Sequence, residues 1–151
     1  MDTGPLLEQL NAQVSEIERF QQLINKAKSQ SAKFSAAVVE KVVNDNMAKS
    51  MDVATKLVPL TSDASDAITT LRGKRDGVIV GSQEAKFNLQ EIELRHVIGE
   101  YDAEEYELLA SDPRDLVAQA DSQIAELEGQ VSSLEGALQR WQQVGGAAGL
   151  I

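Results

Sequence analysis

The 151 residues include no cysteine. Disulfide staples and thiolate metal sites are thereby excluded. Aromatics make up only 4% of the chain, so a core must be built from Leu, Ile, Val and Ala. Prolines number three, Pro5, Pro59 and Pro113, and helix interiors disfavour proline, so each reads as a boundary. The opening residues lack a basic start followed by an apolar run, so no signal peptide is expected. No apolar run approaches the roughly 20 residues of a membrane span. The expected location is cytoplasmic, with no membrane span.

Bases are also scarce. The net charge is −10, and it is unevenly placed. Residues 1–60 carry seven acids and seven bases, residues 61–101 seven acids and five bases. Residues 102–151 carry ten acids against Arg114 and Arg140. Nucleic-acid binding needs a positive face that displaces counterions from phosphates, so no nucleic-acid partner is expected. A mildly basic stretch holds Lys26, Lys28, Lys33, Lys41, Lys49 and Lys56. It suits a position against the acidic last helix, or solvent.

What is present is a heptad. Val117, Ala120, Ile124, Leu127, Val131, Leu134, Leu138 and Trp141 follow at alternating three- and four-residue steps. That is the a/d seam of a helix made to lie against another helix. Leu7, Leu10, Val14, Ile17 and Ile24 keep the same spacing near the N-terminus, with Phe20 close to it.

The punctuation predicts four helices. Gly4-Pro5 opens the first, over 5–57, as one rod or as two helices divided around residue 30, where Lys28-Ser29-Gln30-Ser31 is poor in helix formers. Pro59 ends it. Thr61, Ser62 or Asp63 caps the second, over 62–98. Within it Gly73, Gly77 and Gly81 share one face and would admit another backbone closely; a short extended piece over 77–81 is the competing reading. Asp102 with Glu105 resembles a capping box and starts a short helix over 103–110. Asp112-Pro113 starts the last, over 113–144. Residues 145–151, rich in glycine, read as a flexible tail. The fold class expected is all-α: an elongated antiparallel bundle, or coiled-coil hairpin, of three to four helices in one domain over 1–144.

Residues 94–107, from Leu94 through Gly99, Asp102, Glu104, Glu105 and Tyr106, resemble the SHOCT short helical hairpin. Gly99, Glu104, Glu105 and Tyr106 match its pattern; Tyr101 stands for the usual aliphatic residue and Asp102 for the usual Ser or Thr. The resemblance covers a short segment and implies association with other chains. The plan of a hairpin with long arms is similar to bacterial coiled-coil proteins that end in a zinc ribbon, but there is no cysteine here to build one.

Chemistry is sparse. His96 is the sole histidine, and Glu93 and Glu100 lie on its side of a helix. The row could hold a metal, but a histidine near a helix C-terminus is also favoured as a charge on the helix dipole. Glu93-Leu94-Arg95-His96 supplies one Glu-x-x-His motif of a di-metal bundle, and a second copy would have to come from a symmetric dimer. The acidic run from Asp102 to Asp115 lacks calcium-loop spacing, and Gly73 to Gly81 lacks the end of a phosphate loop. No catalytic, cofactor-binding or metal-ligating residue is assigned. Candidate contact residues are Tyr101, Tyr106, Trp141, Gly73, Gly77 and Gly81. The expected function is a non-enzymatic scaffold or adaptor that meets protein partners through helix faces and forms homo-oligomers. The alternatives are a secreted or surface-delivered bundle, as in a secretion-system substrate or tip component, and more remotely a metal-carboxylate bundle enzyme.

Overall fold

A computed structural model describes residues 2–151. Those residues form three helices and no strand: α1 (Gly4–Ser29), α2 (Ala36–Val97) and α3 (Ala103–Ala147). The all-α expectation holds. Where the sequence suggests one bundle domain, the contacts group the chain into two compact units. The first comprises the described residues through Ile68 together with Ser132–Ile151; the second is Thr69–Val131.

The helix count and boundaries differ from expectation at three places. A fourth is settled between two readings: the first helix stops at Ser29, so the division around residue 30 holds and residues 5–57 are not one rod. The hydroxyls of Ser29 and Ser31 donate to the carbonyls of Lys26 and Lys28. Such local bonds compete with the helix ladder and help to end it. Ser35 then accepts from the Val38 and Val39 amides as α2 begins.

Pro59 does not end a helix; it lies inside α2. Proline there removes the bond to the Thr55 carbonyl and costs about 3 kcal/mol. Thr55 and Pro59 are both exposed, so water can satisfy that carbonyl. The opposite side holds the helix together. Asn46, Ser50, Val53, Leu57, Leu60, Ala64, Ala67 and Leu71 recur at alternating four- and three-residue steps, and all are buried or half-buried. Leu57 and Ile68 are buried on either side of the proline, and such a side chain contributes about 1.5–3 kcal/mol. Continuous burial therefore outweighs the broken bond.

Pro113 behaves alike. No separate helix covers 103–110; α3 runs through. Its seam begins earlier than Val117, at Tyr106, Ala110 and Pro113, and reaches Gly145 beyond Trp141, with every member buried or half-buried. Pro113 sits in the seam itself, where its ring packs as an apolar side chain.

Residues 145–151 are not a loose tail. The helix continues to Ala147, Gly149 turns left-handed at φ 72°, and the Leu150 amide bonds back to the Gly145 carbonyl at 2.8 Å. This is a Schellman closure.

In the first unit α1, the early part of α2 and the end of α3 enclose a core of Leu10, Val14, Ile17, Ile24, Leu57 and Leu134, among others. Polar groups within it are partnered: Gln21 of α1 donates to Ser50 of α2 at 3.4 Å, and Asn46 donates to the Val42 carbonyl at 2.9 Å. Arg140 of α3 reaches α1, pairing with Glu18 and donating to Ser15 at 2.9 Å. The acidic helix thus meets α1 through its own arginine.

In the second unit the later part of α2 and the earlier part of α3 pair as a two-helix hairpin. Leu71, Ser82, Ala110, Ala120 and Val131 are buried along it. Gly73, Gly77 and Gly81 are helical, so the extended reading of 77–81 does not apply.

Two measurements check this account. Leu134→Ala should lower stability by about 2–5 kcal/mol in urea unfolding, since it opens a cavity in a sealed site. Pro59→Ala should raise the urea midpoint, by up to about 3 kcal/mol in free energy, because the burial is kept and the missing ladder bond is restored.

Candidate interaction surfaces

The turn between α2 and α3 is fixed by local chemistry. Gly99 has φ 88°, a left-handed conformation that suits glycine. The Glu100 amide bonds to the Arg95 carbonyl at 2.8 Å and the Gly99 amide to the His96 carbonyl at 3.1 Å, closing α2. Asp102 then accepts from the Glu105 amide at 2.8 Å and caps α3. Arg95 clamps the turn, with both Glu100 oxygens at 2.7 Å and Glu91 at 3.2 Å. Those bonds hold its guanidinium charged, above its ordinary range.

His96 and Tyr106 are brought together here. Their rings stack at 4.4 Å, and the His96 Nδ1 lies 3.0 Å from the Tyr101 carbonyl. Arg114 sits over the tyrosine ring at 5.7 Å and pairs with Glu107 at 3.3 Å. Tyr101 and Tyr106 are half-buried, so they pack the turn rather than stand out from it. The Glu93, His96 and Glu100 row does not assemble: Glu100 is taken by Arg95 and His96 by Tyr101 and Tyr106. Among the described residues no group of three or more His, Cys, Asp or Glu is placed to hold a metal ion.

Trp141 is no exposed anchor. It is 7% exposed and closes the core of the first unit. Gly145 lies under it: a Cβ there would stand 2.8 Å from the Trp141 ring and 2.9 Å from the Ile151 side chain. Sequence reading placed Gly145 in a loose tail. Its spacing of four from Trp141, in step with the seam, was the available signal.

Gly73, Gly77 and Gly81 face open space, with nothing within 4 Å of a built Cβ. Among the described residues no other backbone uses the close approach that three glycines offer. Sequence reading missed what lies beside them. Gly73, Val80, Phe87 and Leu94 recur every seven residues on the side of α2 opposite buried Ser82 and half-buried Val78, Ala85, Leu89 and Ile92. Val80, Phe87 and Leu94 are 67%, 71% and 60% exposed. The signal was a second seven-residue period, hidden because the first accounts for the helix.

The second unit also carries a groove of about 310 Å³ between its helices, lined by Val78, Gly81 and Ala85 of α2 and by Leu116 and Ala120 of α3. Leu116 is 57% exposed. No helix of the described chain is long and apolar enough to cross a membrane. Comparison with protein families, curated proteins and solved structures finds no match.

Gly145→Ala should be destabilising by about 1–3 kcal/mol, because the added methyl overpacks the tryptophan. The emission maximum of Trp141, the sole tryptophan, should shift with it and report the same site.

Proposed function

We propose that this chain is a non-enzymatic helical scaffold: it binds protein partners along exposed helix faces and associates with its own kind. The observation that carries the reading is the outward row Val80, Phe87 and Leu94. Exposed apolar side chains are costly in water, and a row of them at a seven-residue spacing fits the apolar stripe of another helix. Gly73 and Gly77 continue the row without side chains, which favours close helix contact. The paired seams of α2 and α3 read as an antiparallel coiled-coil hairpin, and the SHOCT-like segment at 94–107 supports association.

Function then resides in faces rather than in a pocket. The described side chains include no cluster of ligands for a metal, and His96 is committed to the turn. What remains chemically distinctive is exposed apolar surface on a hairpin of high negative charge. The acids keep such a surface soluble while it waits for a partner.

The test pairs the tagged wild type with Phe87→Glu/Leu94→Glu. Both positions are exposed, so the variant should melt within about 0.5 kcal/mol per substitution of the wild type. It should lose the proteins that the wild type recovers from the source cell. Equal recovery by both, or none by either, would overturn the reading.

A further inference from the structure

The two units treat the space between α2 and α3 differently. In the first unit α1 packs against both helices. In the second no third helix covers the groove, whose lining mixes Val78, Ala85 and Leu116 with Ser82, Gln119 and Gln123. Acids stand on both rims by register: Glu84 one turn after Gly81, and Asp112 one turn before Leu116. The whole unit, Thr69–Val131, carries 14 acids and six bases. An occupant should therefore be apolar on one side and basic.

This chain carries such a surface. Residues 26–42 hold Lys26, Lys28, Lys33 and Lys41 against Glu40 alone. Every residue from Lys28 to Val38 is exposed. Phe34, in the connection before α2, and Val38, in the first turn of α2, are 57% and 53% exposed, with Val42 a turn further on. No ion pair among the described residues engages these four lysines.

We propose that the first turns of α2 and the lysines around them dock in the groove of a second copy, between α2 and α3 of its acidic second unit. The inference rests on the scaffold reading and supplies its mode of self-association. A helix cannot dock on itself, and α2 carries part of both surfaces, so the contact joins two molecules. Two different surfaces meet, which makes the contact head-to-tail. Opposite charge selects the pairing and opposes groove-to-groove contact between two acidic hairpins. The row of Val80, Phe87 and Leu94 lies on another side of α2 and stays open to other proteins.

The test measures mass against concentration by light scattering, with circular dichroism and melting as controls of fold. The end variant is Lys28→Gln/Lys33→Gln/Lys41→Gln. The groove variant is Gly81→Leu, which fills the groove where the helix has open space for a side chain. Wild-type mass should rise with concentration, and less so near 1 M salt, where the screening length falls to about 3 Å. Each variant alone should associate about tenfold more weakly or worse while keeping its fold. Mixed, they should form a one-to-one dimer that grows no further, since one supplies an intact groove and the other an intact end. A wild type that stays monomeric overturns the inference, as does association that neither variant weakens. Should Gly81→Leu fail to fold, Glu84→Gln/Asp112→Asn replaces it with the same expected loss. Partner capture through Phe87 and Leu94 is read separately, so either proposal can fall while the other stands.

Discussion

The heptad seam of α3 governs the structure. From Tyr106 to Gly145 its inward positions recur without a slip, and α2 answers with a stripe of its own. A fully buried large apolar side chain contributes about 1.5–3 kcal/mol by leaving water, and the contributions add along the helix. Local defects must compete with that sum. Two prolines and several glycines lose the competition. Their costs, about 3 and about 1 kcal/mol each, are fixed and local. The helices are held by the packing along them rather than by the preferences of the residues within them.

Three helices and two helices do not bury equally. Where α1 joins, Leu10, Val14, Ile17, Leu57 and Leu134 are sealed from water. Where α2 and α3 pair alone, each helix can cover one side of its partner and no more. Val80, Phe87, Leu94, Leu108 and Leu116 stay exposed as a consequence. The charge is divided in the same way. The first unit carries ten acids and eight bases, the second 14 and six. Both units expose apolar side chains, but the surplus of acids lies on the second and most of the exposed lysines lie on the first. Surface of one kind on one unit and of the complementary kind on the other is the physical basis for reading the chain as a scaffold that also binds itself.

The turn at 98–102 was legible because its chemistry is local. Gly99 supplies the left-handed turn and Asp102 the cap, and the residues that specify each lie within a few positions. Trp141 was legible as a member of the seam, but whether it plugged a core or met a partner depended on Gly145 and Ile151, which pack beside it. The stacking of His96 on Tyr106 was not legible, because it joins two helices across the turn. It holds the His96 ring within the turn, against Tyr106 and the Tyr101 carbonyl.

Sequence alone determined that the chain is helical, which positions of α1 and α3 point inward, and where the acids gather. Those follow from a period of 3.5 residues and from composition, and neither needs a partner to be read. Tertiary structure decided the rest. It chose a break near residue 30 over one at Pro59, ran α3 through Pro113, ordered the last residues around Gly149, and left the glycine face of α2 uncovered. The reason is one of magnitude. A boundary residue states a local cost of a few kilocalories, and only the assembled helices show whether burial on the other side exceeds it.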